Sequence, residues 1–210
     1  MWGGATLDAA MRFLHKCTWE CLKTPRKKVL DVPFKMLLSG TNAVGYTNYP
    51  NYIVHKFYKQ ASKSGVDVFH IFDPINYIDN LKLEFHATSS AGDFVEGILS
   101  YMGGVSDPNK GKCNIEYYIK LTRNIARIGV QSLAIKDATV HLTPCAATIL
   151  VLDLREELPE MPLHMTFPMS CCPTSSWETC THSWYIRICT SRTYPIGLMS
   201  CSFQRVWSNT

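Results

Sequence analysis

Short apolar runs alternate with stretches in which apolar residues return every three or four positions, and this alternation carries the chain from about residue 9 to residue 165. Ala9 to Cys21 places Met11, Leu14, His15 and Thr18 on one face and Arg12 and Lys16 on another, which predicts an amphipathic helix. "VPFKMLL", Val32 to Leu38, is an apolar run closed by Ser39-Gly40 and predicts a buried strand. A helix from about Tyr52 to Ser62 stops at Gly65, and "VDVFHIFD", Val66 to Asp73, is the next strand. "AGDFVEGILSYM", or the upstream portion of that stretch, predicts a helix, with a strand near Gly97 to Met102. "NIEYYIKLTRNIARIG", Asn114 to Gly129, lines up Ile115, Tyr118, Ile119, Ile125 and Ala126 and ends on a glycine suited to a helix stop. "QSLAIKD" is a further strand, "AATILVLDLREEL" a further helix, and "MPLHM" begins a strand again.

Strands and helices in strict alternation predict βαβ units on a parallel sheet. Chemistry in such folds gathers at the C-terminal ends of the strands, here "LLSG", "IFD", "IKD" and "LHM". Beyond about residue 165 the rhythm stops. Lys136 is the last lysine, and after Glu160 the only charged residues are Glu178, Arg187, Arg192 and Arg205. Trp184 to Cys189 has the makings of a short strand, but no period of 2 or 3.6 is sustained there.

Composition adds bounds rather than identity. A chain of 210 residues is long enough for one domain with a sizeable core, and 46% hydrophobic against 18% charged residues is a globular balance. A net charge of +4 is too mild to imply a nucleic-acid partner, and the basic run Lys23 to Lys28 reads as a solvated helix end or loop. No run of 18 apolar residues marks a membrane span, and the N-terminal residues lack the pattern of a secretory signal. Nine cysteines, five of them (Cys171, Cys172, Cys180, Cys189 and Cys201) crowded near the C-terminus, form no even framework and favour reduced thiols in an intracellular protein.

Among residues able to do chemistry, Lys136 closes an apolar strand and precedes Asp137. Two readings stay open for it: an amine that escapes to solvent, or a buried lysine of depressed pKa able to act as nucleophile, base or carboxylated metal ligand. Asp73 in "FDPIN" fits a helix cap or Asx turn. "SGTNAVGY", Ser39 to Tyr46, is rich in small residues but lacks the glycine spacing of a phosphate-binding loop. His70, His164 and Asp8 share no local metal-ligand spacing.

"MWGGATLDAAMRFL", "MLLSGTNAVGYTNYP", "DVFHIFDPIN" and "LAIKD", in that order, closely resemble the carboxyltransferase domain of pyruvate carboxylase, over Met1 to about His164. "NAVGYTNYP" points to that family more than to its decarboxylase and transcarboxylase relatives. The resemblance implies an α/β fold, an incomplete TIM-type (β/α)8 barrel over residues 1–164, followed by an unrelated, irregular tail over residues 165–210. It further implies a divalent metal, zinc or manganese, at the barrel mouth, where a carboxyl group from carboxybiotin passes to the enol of pyruvate. Biotin in the family is carried on another domain. On this resemblance Lys136 takes the place of the lysine whose carbamate ligates the metal, and a carbamate does turn a cation into an anionic oxygen ligand. Asp8 and Tyr46 fall on active-site positions beside the biotin and pyruvate pocket, with roles in orienting substrate or moving a proton. The family's compartment is the mitochondrial matrix in animals and the cytosol elsewhere, with no membrane or nucleic-acid partner.

The departures are equally specific. Ser39 stands where the family has the arginine that grips the pyruvate carboxylate, and a hydroxyl cannot replace a bidentate guanidinium fork. An ungapped continuation puts Thr166 and Pro168 on the two metal-binding histidines. The family's Arg-Asp-Ala-His-Gln segment, its last barrel strand, its biotin carboxylase part and its biotin carrier have no counterpart here. The expectation is a carboxyltransferase fragment inactive on its own. The alternative is a non-catalytic truncated or frameshifted product that pairs with full-length pyruvate carboxylase subunits or is unstable.

Overall fold

The computed structural model describes residues 3–45, 47–89, 92–105, 112–137, 141–168, 186–189 and 198–203. It divides the chain into two compact units, Met1–Ile98 with Ile128–Gln131, and Leu99–Arg127 with Ser132–Thr210.

In the first unit, α1 (Gly4–Asp8), a π-helical turn (Ala9–Phe13) and α2 (Thr18–Lys28) precede β1 (Lys35–Ser39) and a 3₁₀ turn (Gly40–Asn42). Helix α3 (Asn51–Lys63), β2 (Val68–Phe72), α4 (Ile78–Ser89) and β3 (Phe94–Ser100) follow, the last two residues of β3 falling in the second unit. Strands β1, β2 and β3 pair in parallel, with Lys35 opposite Val68 and His70 opposite Glu96. Burial explains the apolar runs. Phe69, His70 and Ile71 are consecutive and all buried, as in a parallel strand covered on both faces.

The second unit holds α5 (Ile115–Arg127), β4 (Ser132–Lys136), α6 (Pro144–Glu157) and β5 (Leu163–Pro168). Strands β4 and β5 are parallel, with Lys136 opposite Thr166. Two more strands, β6 (Ile186–Cys189) and β7 (Leu198–Phe203), continue antiparallel: β7 pairs with β5 and β6 with β7. The fold class is therefore α/β, with five strands in parallel pairings interleaved with helices. Strand β6 lies within the Trp184–Cys189 segment, whereas β7 had no signal in the pattern.

Four expected elements differ. The helix expected over Ala9–Cys21 is interrupted: Leu14 N–H donates to Ala9 O at 3.1 Å and Lys16 N–H to Ala10 O at 2.9 Å, five or more residues back, and His15 has φ +49°. Wider turns rotate the side chains off the expected face, so Met11 and Leu14 are 53% and 59% exposed rather than buried. The strand expected from Val32 starts at Lys35, because Pro33 has no N–H and the Val32 carbonyl is taken by Arg26 Nη1 at 3.1 Å. The strand expected near Gly97–Met102 begins earlier, at Phe94, since Val95 N–H donates to Gln131 Oε1 at 2.8 Å while its carbonyl accepts from Gln131 N–H at 3.0 Å. The helix expected within "AGDFVEGILSYM" is not there: Val95 to Ser100 are all buried, as in a strand covered on both faces, and the helix is α4, upstream of that stretch.

No helix among the described residues is long and apolar enough to cross a membrane. Cys17, Cys21, Cys113 and Cys145 are free thiols.

Candidate active site

At the end of β1, Ser39 is half-buried and its N–H donates to Ala43 O at 2.8 Å, closing a tight turn. Gly40 and Ala43 take positive φ values of +52° and +50° there. Two glycines of this region are needed for close approach. A Cβ on Gly4 would stand 2.6 Å from the Val44 carbonyl oxygen, and one on Gly45 would meet the Tyr49 hydroxyl at 2.6 Å. The small-residue loop is thereby packed against the start of α1 and against its own tyrosine.

Asp8 ends α1 and is half-buried, with Arg12 Nε 3.6 Å from its Oδ1. Both partners keep solvent access, so this ion pair steadies the turn only weakly. Tyr46, assigned to the site with Asp8, lies outside the described residues.

Asp73, just past β2, is buried and fully engaged. Its Oδ1 accepts from the Ile75 and Tyr77 amides at 2.9 and 3.0 Å, and its Oδ2 from Asn80 Nδ2 at 3.0 Å. These bonds order the turn before α4, the Asx-turn role of the two its sequence allowed, since both amides precede Ile78, where the helix begins. Asp137 acts alike in the second unit, accepting from Leu142 N–H at 2.9 Å and His141 N–H at 3.3 Å.

Lys136 ends β4 in the second unit. Its carbonyl accepts from Tyr101 N–H at 2.8 Å, which fixes the strand end. The side chain is half-buried, and burial holds its ammonium below the usual lysine range. Alongside it the register places Thr166, and Asp137 N–H donates to Thr166 O at 2.9 Å. The Thr166 hydroxyl is buried and makes no hydrogen bond.

This donor set does not fit a catalytic zinc or manganese. A lysine must first be carboxylated to offer oxygen, a neutral threonine hydroxyl is a poor replacement for imidazole, and a proline such as Pro168 has no ligand atom in its side chain.

One charged group went unforeseen in the sequence. Glu96 on β3 is buried and accepts from Lys35 Nζ at 2.6 Å, and His70 Nδ1 also contacts its carboxylate. Its charge broke the apolar run and hid the start of β3. Inside the unit that charge is matched by lysine, the condition under which buried carboxylates are tolerated.

No protein-family model matches the chain. Among curated proteins it is 49% identical over 164 residues to mitochondrial pyruvate carboxylase of Rattus norvegicus and 48% identical to that of Homo sapiens, covering 78% of this chain. Pyruvate carboxylase of Staphylococcus aureus is 42% identical over 166 residues, or 79% of the chain. The chain spans 14% of the length of each of these relatives. Among solved structures, the carboxyl transferase domain of Rhizobium etli pyruvate carboxylase with pyruvate and biocytin superposes with a TM-score of 0.75 at 36% identity, over 78% of this chain and 28% of that one.

Proposed function

Because four-fifths of this chain is a partial carboxyltransferase domain of the pyruvate carboxylase family, we propose that it derives from the biotin-dependent carboxylation of pyruvate to oxaloacetate but does not catalyse that reaction alone. Thr166 beside Lys136 carries the reading. The family's transfer of a carboxyl group from carboxybiotin to the pyruvate enol needs a metal held by imidazoles, and here the position opposite Lys136 on β5 offers a hydroxyl. Ser39 adds to it, because a serine at the end of β1 supplies neither the charge nor the fork that a carboxylate substrate needs.

Within that scaffold Lys136, Asp8 and Tyr46 keep residue types suited to the family's chemistry. Lys136 has an ammonium made easier to deprotonate by burial, the first requirement for carbamate formation. Asp8 is accessible enough to meet a substrate or exchange a proton. The compartment that goes with this reading is the mitochondrion, the rat and human relatives being mitochondrial pyruvate carboxylases.

Oxaloacetate decarboxylation with free biotin and added manganese tests the proposal on the purified chain. The expected outcome is no turnover above buffer for the natural sequence. Turnover that disappears in Lys136→Ala would show a working site and refute the reading.

A second reading, a non-catalytic subunit that pairs with full-length pyruvate carboxylase, draws on the preserved β1 to β5 scaffold at 48–49% identity to the mammalian enzymes. Co-purification with the full-length enzyme from cells of the same source supports it. Separate elution counts against it.

A further inference from the structure

Helix α4 buries a carboxyl group that the proposed function does not use. Glu84 has no exposed surface, and neither of its side-chain oxygens makes a hydrogen bond. Facing it from α3 is Tyr58, equally buried, with a hydroxyl that also lacks a properly formed hydrogen bond. Among the described residues, the charge that acts on Glu84 is the carboxylate of Asp73, of like sign and already committed to the turn before α4.

The remaining ionisable groups on the elements packed against α4 are spoken for or outside. On α3, Tyr52, His55, Lys56, Lys59 and Lys63 are exposed. On β2, His70 is engaged with Glu96, and the Gly40–Asn42 turn has no ionisable side chain. On α4 itself, Asp79 and Lys82 pair with each other at 2.7 Å on the exposed side, where His86 also lies.

A buried, unpaired carboxylate is among the most costly states a protein can hold, and taking up a proton removes most of that cost. Burial does push the Glu84 carboxyl well above the ordinary glutamate range, with Asp73 adding to it and the Tyr58 hydroxyl opposing it.

We propose that the folded chain carries Glu84 as a neutral carboxylic acid against Tyr58, making the first unit a pH-sensitive element that loosens as the medium becomes alkaline. The direction follows from proton counting. Below about pH 4, the ordinary range of glutamate, folded and unfolded chains both hold the proton and Glu84 adds no pH dependence. As pH rises, the unfolded chain releases its proton while the folded one keeps it. Unfolding is then favoured by up to about tenfold per pH unit, until the folded carboxyl ionises too.

Urea unfolding of the full chain and of Glu84→Gln, measured from about pH 5 to pH 8, tests this. The ratio of their unfolding constants cancels every other titrating group. It is expected to rise with pH by up to about tenfold per unit, with the variant the more stable at alkaline pH. A ratio that stays constant overturns the proposal. Should Glu84→Gln not fold, infrared spectra of the chain labelled with ¹³C-glutamate decide it. A protonated-carboxyl band at pH 7 that shifts in Tyr58→Phe supports the proposal, and absence of that band overturns it.

Discussion

Tyr118 uses its hydroxyl twice. It accepts from the Met102 amide and donates to the Gly103 carbonyl, both at 2.9 Å, while its ring stacks on Tyr101 at 5.4 Å between centroids. Tyr118→Phe keeps the ring and strips both bonds, leaving a main-chain amide without a partner. The expected loss is about 1 to 3 kcal/mol of stability, read from urea unfolding at fixed pH. Periodicity placed Tyr118 on the buried face of α5, yet nothing in the sequence showed what its hydroxyl would hold. Single polar residues in this chain are decided by such contacts. Asp73 was legible as an Asx turn, because an aspartate after a strand meets the free amides of the turn that follows. Glu84 was not, since it sits at helical spacing with Leu81, Phe85 and Thr88, all buried, and only their packing shows that its charge has nowhere to go.

Among the elements, α6 owes its start to local chemistry. Thr143 is extended, its Oγ1 accepts from Ala146 N–H at 3.3 Å, and Pro144 follows at the first helical position, where a missing N–H costs nothing. Thr143→Ala is expected to lower stability by about 1 kcal/mol, while Thr143→Ser stays near the natural value. Thermal or urea unfolding of the pair checks both. Helices α3 and α5 lie within a residue or two of their expected limits because each ends at a glycine of positive φ, Gly65 at +102° and Gly129 at +99°. The N-terminal helix did not, because its i+5 bonding changes which residues face inward and leaves no mark in the pattern. Strand starts shifted for a related reason: Pro33 has no N–H to give a ladder, and Arg26 and Gln131 take main-chain groups by side-chain hydrogen bonds.

For the whole molecule, the alternation of strands and helices was enough to give an α/β class, and the four quoted motifs were enough to give the family. The working parts of the site were legible chiefly as departures. Ser39 and Thr166 stand where the resemblance calls for arginine and histidine, and the structure adds that Thr166 is buried beside Lys136 with an unsatisfied hydroxyl. Retained scaffold and altered ligands together make metal binding the central question. Manganese is the better probe, because the chain's nine cysteines would hold zinc for reasons unrelated to this site. Equilibrium dialysis of the purified chain against manganese and bicarbonate, with Lys136→Ala in parallel, answers it directly. The account predicts no manganese whose retention depends on Lys136. One equivalent bound by the natural chain and lost in Lys136→Ala would contradict it.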